Sequence, residues 1–291
     1  MKNLKQVLGL AILIGFTTNV FGGGPWLEKK GNGYFQIGGN SKVWDGRYQG
    51  TYSNTFYRDL NRKVRESFVS AYAEYGLTSK ITLVGELPFR QQSTSNDLLN
   101  GTDSTFSTVL PKGSLVGWGN PSLGMKIPLK TDGLKMAAQL RYWFNASSYN
   151  ATAGLRSDYD AASIMPSIFI GNSGNKHYWS FDAGFLIRGN NYGESIMGNG
   201  QYGYSFWENG YLIIDMNYVF TLENGTHDDG TAVQTATFLD NQGYVSYGLK
   251  WYQKLSGPFS FNVAAYSGFA VVNQGTQPGG IFGGFAYELK K

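Results

Sequence analysis

Twelve segments of alternating apolar and polar residues run through this chain, and the connections between them switch in turn between long polar stretches and short links. A strand sends successive side chains to opposite faces, so alternation of this kind asks for a sheet with two unlike sides. Hairpins that cross a bilayer must also gather their tight turns at one end and their long loops at the other. A soluble sandwich carries no such obligation.

The segments are 33–44, 64–77, 80–90, 117–129, 133–145, 159–171, 176–188, 200–207, 211–223, 241–254, 258–271 and 279–289. The long connections are 45–63, 91–116, 146–158, 189–199, 224–240 and 272–278. The short ones are Thr78-Ser79, Lys130-Thr131-Asp132, Asn172-Ser173-Gly174-Asn175, Glu208-Asn209-Gly210 and Leu255-Ser256-Gly257, all with turn chemistry.

In 133–145, Leu134, Met136, Ala138, Leu140, Tyr142 and Phe144 oppose Lys135, Gln139, Arg141, Trp143 and Asn145. Segment 211–223 sets Leu212, Ile214, Met216, Tyr218, Phe220 and Leu222 against Asp215, Asn217, Thr221 and Glu223. Segment 176–188 sets Trp179, Phe181, Ala183, Phe185 and Ile187 against Lys176, Ser180, Asp182 and Arg188. A Lys or Arg facing lipid at mid-depth costs about 2–4 kcal/mol, so the apolar faces are assigned to lipid and the charged faces to the interior. The fold class that follows is all-β, a single antiparallel transmembrane β-barrel of about twelve strands.

Tyr142, Trp179, Tyr211, Tyr218, Tyr247 and Trp251 stand where interfacial aromatic belts form. Pro88, Pro121, Pro128 and Pro166 lie inside segments, where each removes a ladder donor, so bulges or strand ends are expected there.

Ahead of the barrel, Lys2 and Lys5, the apolar run 7–16 and the stretch Val20-Phe21-Gly22 read as a secretory signal. This divides the chain into a signal over 1–22 and a barrel over 23–291. The apolar run falls short of the roughly 20 residues a helix needs to span a bilayer. With no cysteine, disulfides, thiolate metal sites and a lipid-modified N-terminus are excluded. A formal charge of +4 leaves no nucleic-acid footprint.

Ala73-Glu74-Tyr75-Gly76-Leu77-Thr78, running into Ile81-Thr82-Leu83 and Gly85-Glu86-Leu87-Pro88-Phe89, resembles the outer-membrane family named for the meta-pathway of phenol degradation. Gly117-Trp118-Gly119-Asn120 with Leu123-Gly124-Met125-Lys126 is similar to that family's next hairpin entry, although the family usually carries Asp where Asn120 stands. The start Gly22-Gly23-Gly24-Pro25-Trp26, with Lys29-Lys30-Gly31 and Gly33-Tyr34-Phe35, is similar to versions from the Bacteroidota, a Gram-negative group. The chain ends Tyr287-Glu288-Leu289-Lys290-Lys291, whereas many outer-membrane barrels end on an aromatic. The resemblance implies a barrel of about twelve strands moving small, often apolar or aromatic, molecules.

The inward faces collect Glu74, Glu86, Lys126, Arg141, Asp182, Asp215 and Lys250, each close to a short turn, so a common band is expected. Arg90 and Arg188 join the interior set. Hairpin register places Tyr72 opposite Glu86 and Ser122 opposite Arg141. One outcome is a constriction whose opposed charges set a field while Tyr72, Trp118, Trp143 and Tyr266 guide a flat solute; the other is an interior salt-bridged to itself.

Only His177 and His227 could serve acid–base chemistry. His177 belongs to a lipid-side face near a turn, and His227-Asp228-Asp229 to a polar loop, so no enzyme is expected. Asp228, Asp229 and Asp240 lack a calcium-loop spacing, and no cofactor is expected. The expectation is a passive, porin-like transport barrel in the outer membrane, its termini periplasmic and its long loops outside. Its partners are membrane lipid and a small solute, without nucleic acid. The alternative is a non-transporting barrel that serves an outer-membrane protein partner.

Overall fold

The computed structural model describes residues 23–51, 54–95, 110–275 and 279–291. The expected signal segment and the middle of connection 91–116 lie outside the described residues.

The chain forms β1 (Gly33–Thr51), β2 (Asn54–Gly76), β3 (Thr82–Thr94), β4 (Ser114–Trp118), β5 (Ser122–Lys130) and β6 (Lys135–Trp143). A short hairpin of β7 (Tyr149–Asn150) and β8 (Leu155–Arg156) follows. Then come β9 (Ser163–Ser173), β10 (His177–Arg188), β11 (Ser195–Trp207), β12 (Gly210–Thr221), β13 (Gln242–Lys254), β14 (Phe259–Gly275) and β15 (Gly280–Leu289). Each long strand pairs antiparallel with its neighbours, β1 with β15 and β2 with β3, which closes the sheet on itself. Because β4 and β5 stack end to end along β3, the wall is a closed twelve-stranded barrel.

The four prolines mark irregularities, as their missing donors require. The break between β4 and β5 falls at Pro121, and Pro88 sits on β3 where its partner changes from β5 to β4. At that point Pro88 still accepts a 3.0 Å bond from the Gly119 N–H. The β5–β6 register shifts between Pro128 and Lys130, and the β9–β10 ladder is interrupted across Met165-Pro166.

Two sequence expectations are corrected here. Residues 45–51 and 54–63, assigned to a polar connection, instead prolong β1 and β2 as a paired hairpin, because alternation continues through Trp44, Leu60, Arg62 and Val64. Segment 200–207 is similarly too short, since β11 starts at Ser195.

Side-chain polarity is inverted relative to a soluble protein, with Ile37 66 % and Phe285 71 % exposed on the outer wall while Arg141 and Lys126 are fully buried inside. That is the arrangement a lipid surround selects. Among the aromatic-belt candidates, Tyr142, Tyr247 and Trp251 are exposed on this outer wall, whereas Tyr211 turns inward against Tyr178 at 5.7 Å.

Both mouths are covered. At the loop end, the β7–β8 hairpin and a 3-10 turn at Gly230–Gln234 fold inward, and Leu155, Ala153, Ala232, Ala236 and Leu239 pack on Trp44, Leu60 and Val64. Trp44 Nε1 donates to the Thr235 carbonyl at 2.8 Å, so this cover is bonded as well as packed. At the turn end, the stretch ahead of β1 enters the barrel: Gly23 N–H donates to Glu74 Oε1 at 2.9 Å and Glu28 N–H to Thr82 Oγ1 at 3.0 Å. Gly24 has φ +75, and a Cβ there would strike the Trp26 ring, so only glycine allows this entry. Gly171 plays the complementary part on β9, its bare face lying against Pro25.

Candidate functional site

The interior charges form several ion-paired networks, and of the band expected from sequence Glu74, Asp215 and Lys250 border one space near the turns. Between the two mouths, Glu66 receives Arg90 Nη1 at 2.9 Å, Lys42 Nζ at 3.1 Å and Gln92 Nε2 at 2.7 Å. Next to it, Arg141 holds Glu86 at 2.6 Å and lies 4.8 Å over the Trp143 ring. Arg141 also donates to Ser122 Oγ from Nε at 2.9 Å and from Nη2 at 2.7 Å. Nearer the turns, Lys126 binds Glu74 at 3.2 Å and the Gly24 carbonyl at 3.2 Å, and Tyr72 donates to Glu74 at 2.5 Å. Across the barrel, Lys250 meets Asp215 at 2.9 Å, and Asn199 and Gln201 donate to the same carboxylate at 2.7 and 3.1 Å.

Several expected residues are placed as drawn. Tyr72 pairs with Glu86 in the β2–β3 ladder. Arg90, Asp182 and Tyr266 are buried on the inner face, and Arg188 is bonded to the Gly193 carbonyl at 2.7 Å near the loop end. Asp182 stands apart from the ion pairs, with Oδ1 unpartnered among the described residues. The predicted Ser122–Arg141 ladder pair is corrected: β5 ends at Lys130 and β6 begins at Lys135, a later and longer connection than expected, so Ser122 faces Trp143 and Gly124 faces Arg141, and the hydrogen bonds reach diagonally. Trp118 is also corrected. It is half exposed on the outer wall and meets Phe89 edge-on at 5.2 Å, so it cannot guide a solute inside.

Sequence reasoning missed Glu66, Lys42 and Gln92, although Glu66 shares the parity of Tyr72 and Glu74 and a period of two reaches it. Residues 23–28 gave no signal of inward folding beyond the Gly-Gly-Pro-Trp run.

His227 and the loop acids fasten the loop-end segments to one another, and His177 stands apart from them. His177 is exposed on the outer wall beside Tyr202. His227 stacks on Tyr192 at 3.8 Å and shares a 2.9 Å bond with the Asn190 carbonyl. Asp229 accepts the Asp240 N–H at 3.0 Å, and Asp240 accepts the Gly193 N–H at 2.7 Å. No group of metal ligands occurs among the described residues. Burial pushes the Asp158 carboxyl above the usual range against the pull of Arg90, and likewise raises Asp229 against Arg156.

The turn-end half encloses a cavity of about 290 Å³ bounded by Gly23, Trp26 and Glu28 of the entering segment and by Tyr72, Asp215 and Lys250 of the wall. Trp26 meets Tyr178 edge-on at 5.9 Å on its rim.

No family model matches the chain, and no curated protein matches it in sequence. Among solved structures, an outer-membrane channel from Pseudomonas putida F1 superposes with a TM-score of 0.68 at 14 % identity, covering 94 % of this chain and 100 % of that one. A deletion mutant of the monoaromatic hydrocarbon channel TodX gives 0.49 at 9 % identity over 91 % of each chain. The KdgM porin gives 0.44 at 9 % identity over 88 % of this chain and 99 % of that one. The first of these likenesses establishes the shared fold, a closed barrel of the outer-membrane type.

Proposed function

We propose that this chain is a passive, non-enzymatic outer-membrane channel for small molecules, with the turn end and both termini in the periplasm and the long loops outside. The observation that carries this reading is the turn-end cavity, an interior space lined by side chains of both charge signs and closed by a segment that does not belong to the wall. The barrel shared with the Pseudomonas putida channel supports it. The resemblance to the phenol-pathway family suggested apolar or aromatic solutes. Asn262 Oδ1, however, faces this space with no partner among the described residues, and a bare hydrocarbon would leave it so at about 1–3 kcal/mol, which favours a solute that hydrogen-bonds.

Single-channel recording in planar bilayers tests the pathway. Steady openings are expected, and Arg141→Ala should shift their selectivity toward cations by removing the positive partner of Glu86. The second reading, a non-transporting barrel that serves a partner, draws on the paired interior; a silent wild-type barrel would select it. Orientation is read with epitope tags on intact cells. A tag at Gly230 should be cut by external protease and one at Asp132 spared, and the reverse would invert the assignment. Gly101, a further site for such a tag, lies outside the described residues.

A further inference from the structure

The turn-end cavity has a wall chemistry more specific than a water-filled passage needs. Its volume of about 290 Å³ lies at the lower edge of ligand pockets, roughly 300–1,000 Å³, which suits one ring rather than a chain of rings.

The most deeply buried charges around it are paired. Lys250 is held by Asp215 at 2.9 Å, and Glu74 is held by Lys126 at 3.2 Å and by the Tyr72 hydroxyl. An anion would meet Glu28, Glu74 and Asp215 on the cavity wall, and a cation would have to approach Lys250. A neutral solute avoids both.

Hydrogen-bonding groups are dense. Gln36, Asn199, Gln201 and Asn262 line the cavity beside Tyr34 and Tyr266. Asn262 is 5 % exposed, and its Oδ1 has no partner among the described residues, while its Nδ2 leans on Gln36 Oε1 at 3.5 Å. A buried acceptor left bare is costly, so a donor from a ligand hydroxyl would be well placed there.

The aromatic rings complete the pattern. Trp26 and Tyr178 meet at 84° and Tyr34 and Tyr72 at 64°. In an edge-to-face pair the ring that presents its edge keeps its own faces unstacked, and such a face accepts the C–H side of a saturated ring while amides and hydroxyls take its rim.

We propose that this cavity is a binding site for a neutral, monosaccharide-sized polyhydroxylated ring, held by Asn262, Gln36 and Gln201 at its hydroxyls and by Trp26 along its C–H face. The inference deepens the channel reading and rests on it for any role in transport, but binding can be measured without transport.

The full chain, purified in a detergent without a sugar headgroup, is titrated calorimetrically with D-glucose, D-galactose, myo-inositol, phenol, glucuronate and choline. At least one of the three neutral polyols should bind saturably and more tightly than phenol, glucuronate or choline. Asn262→Ala and Trp26→Ala should each weaken it about tenfold, as for the loss of one central contact. Trp118→Ala, on the outer wall, should leave it unchanged. Trp26 precedes the first wall strand, so its variant remains informative if Asn262→Ala fails to fold.

The inference is overturned by absence of saturable polyol binding, by tighter binding of phenol, glucuronate or choline, or by affinity that survives Trp26→Ala. Channel openings without polyol binding would defeat this inference and leave the channel; polyol binding to a silent barrel would do the opposite.

Discussion

Replacing Glu66 by alanine should destabilise the barrel by about 3–5 kcal/mol, the cost of stranding buried charge. Glu66 is 1 % exposed and is the shared anion of Arg90 and Lys42, with Gln92 on its second oxygen. Its loss leaves two buried cations facing each other, with Asp158 the nearest remaining carboxylate at 4.0 Å from Arg90. The measurement is the temperature at which folded, heat-modifiable gel mobility is lost, together with its denaturant midpoint. Removing the cations as well, through Lys42→Met and Arg90→Met, should recover most of the loss, since a buried ion cluster can be exchanged for apolar packing at little net cost. A single variant that loses less than about 1 kcal/mol would show that the site behaves like a solvent-exposed pair.

Excising residues 24–30 should open the turn end. The cysteine-free chain makes this directly readable, because Ser180→Cys would introduce the protein's only thiol. Ser180 is 8 % exposed on the inner face, its Cβ 3.2 Å from where a Cβ on Gly24 would lie. With the segment in place, a membrane-impermeant maleimide should label it only through transient opening. With the segment gone, the rate should rise by more than an order of magnitude in detergent. Lys126 would lose the Gly24 carbonyl but keep Glu74, so the wall beneath should stay folded. Equal labelling rates would mean that the segment does not seal this mouth.

What could be read from the sequence was the part governed by short-range rules. A period of two separated Leu140 and Met216 from Arg141 and Asp215, and the turn residues located the hairpins, because both signals reside within a few positions. Two kinds of feature escaped. Register depends on turn length, so a connection that spans 131–134 instead of 130–132 displaced Arg141 from Ser122 by one pleat. Trp118 was misplaced in the same way, since β4 runs into a break at Gly119-Asn120-Pro121 that parity counted from β5 does not cross correctly. The second kind is long-range. The plug contacts join Trp44 to Thr235 and Gly24 to Lys126, and nothing local to a Gly-Pro-Trp run or a Gly-Thr loop states which distant wall it will meet.

The wall itself changes with height. Beyond the start of β15, β14 pairs directly with β1 through Tyr48–Gly275, Gln49–Gln274 and Gly50–Asn273, above the last β2–β3 pair at Val64–Thr94. The wall at that height is a flap of β14, β1 and β2 standing on one side of the barrel. From it Arg47 Nη1 donates to the Val233 carbonyl at 3.0 Å, so the loop-end cover is tied to one raised side of the rim. A cover held in that way would lift like a hinged lid, freest at the side away from the flap.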